Sequence, residues 1–287
     1  MRKHPHQAQQ GFFTFAQNNT TTDYLAMAYV QAMSVKLAMP GSLYAVAVDK
    51  DTLSLITDQH RQVFDYVIEI DEDYAKDDEW KLANEWQAFW LTPFKETIKL
   101  EADLLIPADI SHWWNGFRLR DVVLSTNCQT YMGTTVTSDT LHRKIFIDNN
   151  LPNVYNGLMY FRYSQISNYF FSVARDIYQD WDSVRNTLKN LHNIKPSTDL
   201  VYAITAMFVG PEFVTLPTLN FINFVHMKPS LQGWKQDDDW TDSVMTEFDL
   251  PIIRINNRNQ YHPIHYHQKN FIKKEVVDEY QRRLGIS

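Results

Sequence analysis

Lys99-Leu100-Glu101-Ala102-Asp103-Leu104-Leu105 sets two carboxylates one residue apart where an apolar strand, predicted over residues 97–100, comes to its end. Upstream of it, strands and helices alternate. A β-prone run at 11–16 (GFFTFA) gives way to a polar cluster at 17–23. A helix is then expected over 24–37, where Leu25, Ala28, Tyr29, Ala32, Met33 and Leu37 recur at helical spacing, and Pro40-Gly41 stops it. A buried strand at 42–48, a helix near 52–62, a strand at 66–70, an acidic loop and a helix at 80–91 complete the approach. Strands separated by helices imply a mostly parallel sheet. Such sheets bind ligands at the carboxyl ends of their strands, so the loops after Ala16, Val48 and Leu100 are where chemistry is expected.

Downstream the pattern is less regular. Strands are predicted at 122–125 and 157–161, helices at 165–181, 182–191 and 200–208, a strand at 221–226, and a last helix at 269–284. From Asp237-Asp238-Asp239 onward a polar stretch shows no clear period. With 287 residues, 44% of them hydrophobic, the chain can bury a sizeable core. Its net charge of −7 offers no general attraction to nucleic acid or anionic lipid, so a polyanionic partner would need a local basic patch. A lone Cys128, no signal-like N-terminus and no membrane-length apolar run predict a soluble protein of a reducing cytosol. His4 and His6 read as a frayed polar end.

Four clusters can carry chemistry. Glu101 and Asp103 can bridge a hard divalent ion to phosphate oxygens, although Glu-x-Asp also occurs as a solvated strand end. His226 and Lys228-Pro229 follow a short apolar strand; an imidazole can ligate a metal and an ammonium can meet phosphate, or His226 can be a satisfied strand-end histidine. Asn156-Gly157 opens an aromatic strand and on its own reads as a tight turn. Asp199, beside Thr198, reads most simply as part of a helix cap.

Taken in order, these clusters resemble the retaining glycosyltransferases of glycogenin type, which have the A-type glycosyltransferase fold. Thr14-Phe15-Ala16 through Tyr24-Leu25 resembles the family's first strand and nucleotide loop, and Leu100-Glu101-Ala102-Asp103 its Leu-Asp-Ala-Asp metal motif. Tyr155-Asn156-Gly157-Leu158 resembles its Phe-Asn-Ser-Gly strand, Asp199 its acidic helix start, and Val225-His226 with Lys228-Pro229 its His-x-x-Gly-x-x-Lys-Pro-Trp close. The resemblance implies an α/β fold with a mixed, mostly parallel sheet. It divides the chain into a flexible 1–10, a catalytic domain over 11–234 and a C-terminal extension over 235–287 packed on it. It further implies Mn²⁺, or Mg²⁺, on Glu101, Asp103 and His226, and the base of a nucleotide-diphosphate sugar, UDP-linked, held by Thr14, Phe15, Ala16 and Tyr24. Lys228 would face the diphosphate, with Asn156 and Asp199 beside the transferred sugar. Three departures stand out: Glu101 replaces the family's aspartate; the Lys-Pro-Trp close is split so that Lys235 competes with Lys228; and the lysine expected before the metal motif has no counterpart, Lys81 falling a turn early and Glu85 standing near its place.

The function expected is therefore metal-dependent, retaining glycosyl transfer; were it inverting, Asp199 or one of Asp237, Asp238 and Asp239 would be the general base. The stretch from Arg254-Ile255-Asn256-Asn257 to His265-Tyr266-His267-Gln268-Lys269 is also similar to glycosyltransferase-like proteins of large tailed phages. That implies a host-cytoplasmic enzyme whose acceptor is a hydroxymethylated base in phage DNA, gripped by Arg254, Arg258, Lys269, Lys273, Lys274, Arg282 and Arg283. The alternative for that run is a solvated helix face neutralised by Glu275, Asp278 and Glu279. The competing functions are a sugar-nucleotide or nucleic-acid binding protein without turnover, transfer to a protein or glycan, and a nucleotidyltransferase, against which no glycine-rich phosphate loop follows the first strand. His262, His265 and His267 have no cysteine or well-spaced carboxylate nearby and read as an aromatic-polar loop. Trp86-Trp90 and Trp113-Trp114 read as core or interface, with stacking on a base or sugar ring the other option.

Overall fold

Thirteen strands are present in the computed structural model, which describes residues 6–136, 143–191, 195–216, 222–235 and 239–287. They are β1 (Ala8–Phe15), β2 (Tyr44–Val48), β3 (Tyr66–Glu69), β4 (Phe94–Leu100), β5 (Leu104–Leu105), β6 (Val122–Ser125), β7 (Cys128–Gln129), β8 (Tyr155–Arg162), β9 (Phe224–His226), β10 (Thr246–Asp249), β11 (Ile252–Ile255), β12 (Arg258–Gln260) and β13 (Ile264–His265). His4, Phe221, Asp237 and Asp238 lie outside the described residues.

The central sheet runs β3-β2-β1-β4-β8-β6. Its first four strands are parallel, β8 runs antiparallel to β4, and β6 antiparallel to β8. Successive side chains of a strand point to opposite faces, and this alternation divides the core in two. Phe12, Val46, Ile98, Leu158 and Tyr160 face the helix Tyr24–Ala38. Phe13, Ala45, Met159 and Phe161 face the helices Gln165–Gln179 and Thr198–Val209. Covered on both sides, β2 is apolar along its whole length, whereas β1, β4 and β8 also carry buried polar side chains, among them Thr14, Lys99 and Asn156.

A second sheet, ordered β5-β13-β9-β7, stands at the carboxyl end of β4. β13 pairs antiparallel with β5 and in parallel with β9. The C-terminal stretch is therefore woven between earlier strands, not laid on their outside. A three-stranded meander, β10-β11-β12, occupies part of the region that showed no period. β1 begins at Ala8, within the 1–10 segment expected to be a flexible start. No described helix is long and apolar enough to cross a membrane.

Several predicted helices are broken by local capping. The helix expected at 52–62 is two short ones, Lys50–Leu53 and Asp58–Val63, because Asp49 caps the first and Thr57 starts the second with a capping box. The one expected at 80–91 begins as a 3₁₀ segment, Leu82–Gln87, and is α-helical only over Ala88–Leu91. The last helix starts at Lys274, not 269. Asn156-Gly157 forms no turn and lies inside β8. Glycine is needed there for space: a Cβ would come 3.0 Å from the Phe224 ring and 3.4 Å from Nδ1 of His265. Gly157→Ala is expected to cost about 1–3 kcal/mol of stability through overpacking, and an unfolding midpoint equal to the parent's would refute that.

Candidate active site

Helix Tyr24–Ala38 is buried from Met27 through Val35, including two polar side chains that hold the carboxylate loop. Nε2 of Gln31 donates to the carbonyls of Glu101 (2.5 Å) and Leu104 (2.8 Å), and Oε1 accepts from the Tyr44 hydroxyl. The Ile106 amide donates to Oγ of Ser34 at 3.0 Å. From the other side the Glu101 amide donates to the Gly157 carbonyl (3.0 Å), and the Tyr266 amide to the Asp103 carbonyl (3.0 Å). Backbone groups that would otherwise be buried without partners are thereby satisfied, and the turn is fixed from three directions.

The two carboxylates converge on an imidazole from the C-terminal stretch. Nε2 of His265 lies 3.2 Å from Oε2 of Glu101 and 3.1 Å from Oδ1 of Asp103. Nζ of Lys269 donates to Oδ2 of Asp103 at 2.5 Å and sits 5.4 Å from the centre of the Tyr24 ring. His226, the β9 partner of His265 in register, stacks on it at 4.5 Å with the rings 5° from parallel. His267 stands edge-on to both rings.

Charge follows from these contacts. Burial works to raise the Asp103 carboxyl, but His265 and Lys269 outweigh it and hold the group well below its ordinary range. Glu101 is raised, by burial first and then by Asp103, with His265 offsetting only part. Burial alone would lower His265, yet Asp103 and Glu101 carry it above its usual value. Burial and the charge of His265 push His226 well down and His267 down to about 4. The two carboxylates thus favour the charged form of His265, while His226 and His267 beside it are biased toward the neutral form. Nδ1 of His226 and Nδ1 of His265 are buried without a hydrogen-bond partner. Donor atoms of Asp103, His265 and His267 all lie within 4.8 Å of one another, a mixed oxygen and nitrogen set that suits a divalent cation.

Two clefts meet at this cluster. The first, about 290 Å³, is lined by Thr14, Phe15, Gln17, Tyr24, Trp80 and Lys81 and ends on Glu101, Asp103 and Lys269. The second, about 250 Å³, is lined by Tyr155, Asn156, Asp199, His226 and Lys228. Glu101, His265 and His267 border both. Thr14 anchors its strand end by donating to the Leu100 carbonyl at 2.8 Å, and Ala16 lies beneath the cleft in the core. Asn156 donates from Nδ2 to Oε1 of Glu101 at 3.1 Å. Asp199 is in the first turn of its helix, capped by Ser197, and both oxygens are engaged: Oδ1 accepts the Asn156 amide (2.7 Å) and Oδ2 the guanidinium of Arg143 (2.8 Å). Arg143 is itself buried over the rings of Tyr155 and Phe146.

Thr14, Phe15, Tyr24, Glu101, Asp103, Asn156, Asp199, His226 and Lys228 thus line these two clefts, with Ala16 beneath the first. Glu101 and Asp103 stand together as expected, whereas the imidazole in contact with both is His265, with His226 behind it. Lys228 lines the second cleft, where burial lowers it and Asp199 opposes the shift; Lys235 is exposed. Lys81 caps the 3₁₀ segment and donates to the carbonyls of Ala75 and Lys76, while Glu85 pairs with Lys99. His265 and His267, which read from the sequence as an aromatic-polar loop, and Lys269, expected in the basic run toward an acceptor, are at the centre. Their partners lie more than 150 residues away in the chain, so no local spacing could reveal them; His262 instead packs near Trp113. Trp113 and Trp114 are core, as read.

No family model matches the chain, and no curated protein matches it. Solved structures do. The galactosyltransferase LgtC, in complex with donor and acceptor sugar analogs, overlays with a TM-score of 0.56 at 12% identity over 96% of this chain and 95% of that one. The bifunctional glycosyltransferase WbbM gives 0.51 at 11% identity over 97% of this chain and 50% of that one. The glycosyltransferase GlyE of Streptococcus pneumoniae TIGR4 gives 0.50 at 8% identity over 97% and 62%. At such identities the likeness is one of fold. With its sheet order, its antiparallel β8 and these overlays, the chain has the α/β, largely parallel architecture of the A-type glycosyltransferase fold.

Proposed function

We propose that the chain is a glycosyltransferase that moves a sugar from a nucleotide-diphosphate donor to an acceptor hydroxyl. The observation that carries this reading is the meeting of two clefts at one carboxylate-imidazole-ammonium cluster, at the carboxyl ends of β1 and β4. The nucleotide would lie along Thr14, Phe15 and Tyr24, its diphosphate near Asp103 and Lys269, and the sugar beside Asn156 and Asp199. Asp103, His265 and His267, with Glu101 adjacent, would hold Mn²⁺ or Mg²⁺. A bound divalent ion supplies positive charge against the leaving diphosphate. Lys269 in one cleft and Lys228 in the other add protein cations to that charge. Because Asp199 spends both oxygens on Asn156 and Arg143, it is poorly placed to serve as a base, which favours the retaining course. In that course the acceptor proton passes to the donor's own phosphate.

The basic C-terminal run lends little to a DNA acceptor. Arg254 pairs with Glu247 and Asp249, Lys274 with Asp278, Arg282 and Arg283 with Glu279, and Lys269 turns into the donor cleft. The proposal does not rest on DNA.

Incubation with a panel of nucleotide sugars and Mn²⁺ or Mg²⁺ should release nucleoside diphosphate from at least one donor; no release from any of them sinks the reading. With that donor in hand, Mn²⁺ titrations separate the imidazoles. His265→Ala and His267→Ala are expected to raise the half-saturating Mn²⁺ by about tenfold or more, and His226→Ala, stacked behind, by less. A larger shift for His226→Ala would return the ligand role to that residue.

A further inference from the structure

A third cleft, about 300 Å³, opens beyond β3 and is lined by Asp71, Glu72, Tyr74, Trp86, Trp90 and Gln179 among others. We infer that this aromatic cleft is a binding site for a neutral oligosaccharide, separate from the two clefts of the carboxylate cluster. Its aromatic wall is a fixed surface. The ring of Trp86, almost wholly buried, meets Trp90 edge-on at 5.7 Å and Tyr74 at 5.3 Å. Tyr74 is nevertheless 47% exposed and Trp90 half-buried, so each offers ring surface to a ligand. An amphipathic ring of this kind takes an apolar body on its surface while polar groups bond around it. A pyranose, with C–H groups on its faces and hydroxyls at its rim, has that chemistry.

The polar rim selects against anionic ligands. Asp71 and Glu72 are exposed carboxylates, and Glu72 is steadied by the Tyr74 hydroxyl at 2.8 Å. Carboxylates accept from sugar hydroxyls and repel phosphate. Arg175, the cation of the cleft, already donates twice to Asp176, at 2.9 and 2.8 Å. A phosphorylated or nucleic-acid ligand would thus meet net negative charge, and an uncharged polyol would not.

The floor is also built. Gln87 donates to the Glu72 carbonyl and to Asn84, both at 2.8 Å, and Asn84 accepts from the Tyr74 amide at 2.9 Å. Asn84 donates in turn to Gln17 at 2.8 Å, which lines the nucleotide cleft. Tyr74 and Glu72 are therefore held in place by the network that shapes the first cleft, at the same end of the sheet.

Titration of the full-length protein with lactose, cellotriose and maltotriose, read by tryptophan fluorescence, tests the assignment without any nucleotide sugar. Its failure would leave the donor reaction untouched, and failure of the donor reaction would leave it standing. At least one of these sugars should bind saturably, and Trp90→Ala and the surface change Tyr74→Ala should each weaken it by about tenfold, with the parent's unfolding midpoint retained in Tyr74→Ala. No saturable binding by any of the three overturns the site. So does binding that persists unchanged in Tyr74→Ala and Trp90→Ala.

Discussion

Asp103→Asn is expected to lower donor hydrolysis and transfer by about a thousandfold or more while the chain stays folded. Among the described residues, Asp103 is the one carboxylate in contact with both His265 and Lys269, and the one grouped with His265 and His267 as a ligand set. The amide keeps its shape and removes its charge, so an effect on rate without loss of secondary structure isolates the electrostatic role. Turnover within tenfold of the parent would refute the proposed part played by this residue. Glu101→Asp should be much milder, because the charge is kept and only its arm is shortened.

The second large effect concerns stability. Nζ of Lys99 is completely buried within β4 and its ion-pair partner is Glu85, on the 3₁₀ segment beneath the donor cleft. Removing one member of a buried pair leaves the other charge without compensation, a cost of about 3–5 kcal/mol. Glu85→Ala should therefore drop the unfolding midpoint by roughly 6–20 °C. Joint replacement by Glu85→Leu and Lys99→Met removes both charges at once and should recover much of the loss. A Glu85→Ala midpoint within two or three degrees of the parent's would show that the pair contributes little.

The parallel half of the fold was legible because each of its elements carries its own signal. The helix Tyr24–Ala38 recurs at helical spacing and ends just before Pro40-Gly41, and β2 beside it is an unbroken apolar run. The second sheet was not legible, since β5, β7 and β13 are only two residues long and too short to show any period. The same reason decided how much of the site could be read. Glu101-Ala102-Asp103 is a local pattern, whereas His265 gains its meaning only from carboxylates brought to it by the fold. His226 and His265 are register partners on adjacent parallel strands, so either places an imidazole at the same end of the sheet. Sequence spacing had no means of ranking the two. Asp199 looked like a cap for a comparable reason: its partners, Arg143 and the Asn156 amide, come from elsewhere in the chain.

The placement of β13 between β5 and β9 bears on how the protein comes into being on the ribosome. Synthesis delivers the N-terminal parts of a chain first, and they can begin folding before the rest has emerged. Here the carboxylates of Glu101 and Asp103 emerge early, while His265, His267 and Lys269 are made more than 150 residues later. Until they arrive, the two acidic side chains face each other without their cationic partners, and the gap between β5 and β9 is unfilled. The nascent chain can therefore build most of its larger sheet while the cluster is still incomplete, and the site is assembled only after His265, His267 and Lys269 have been made.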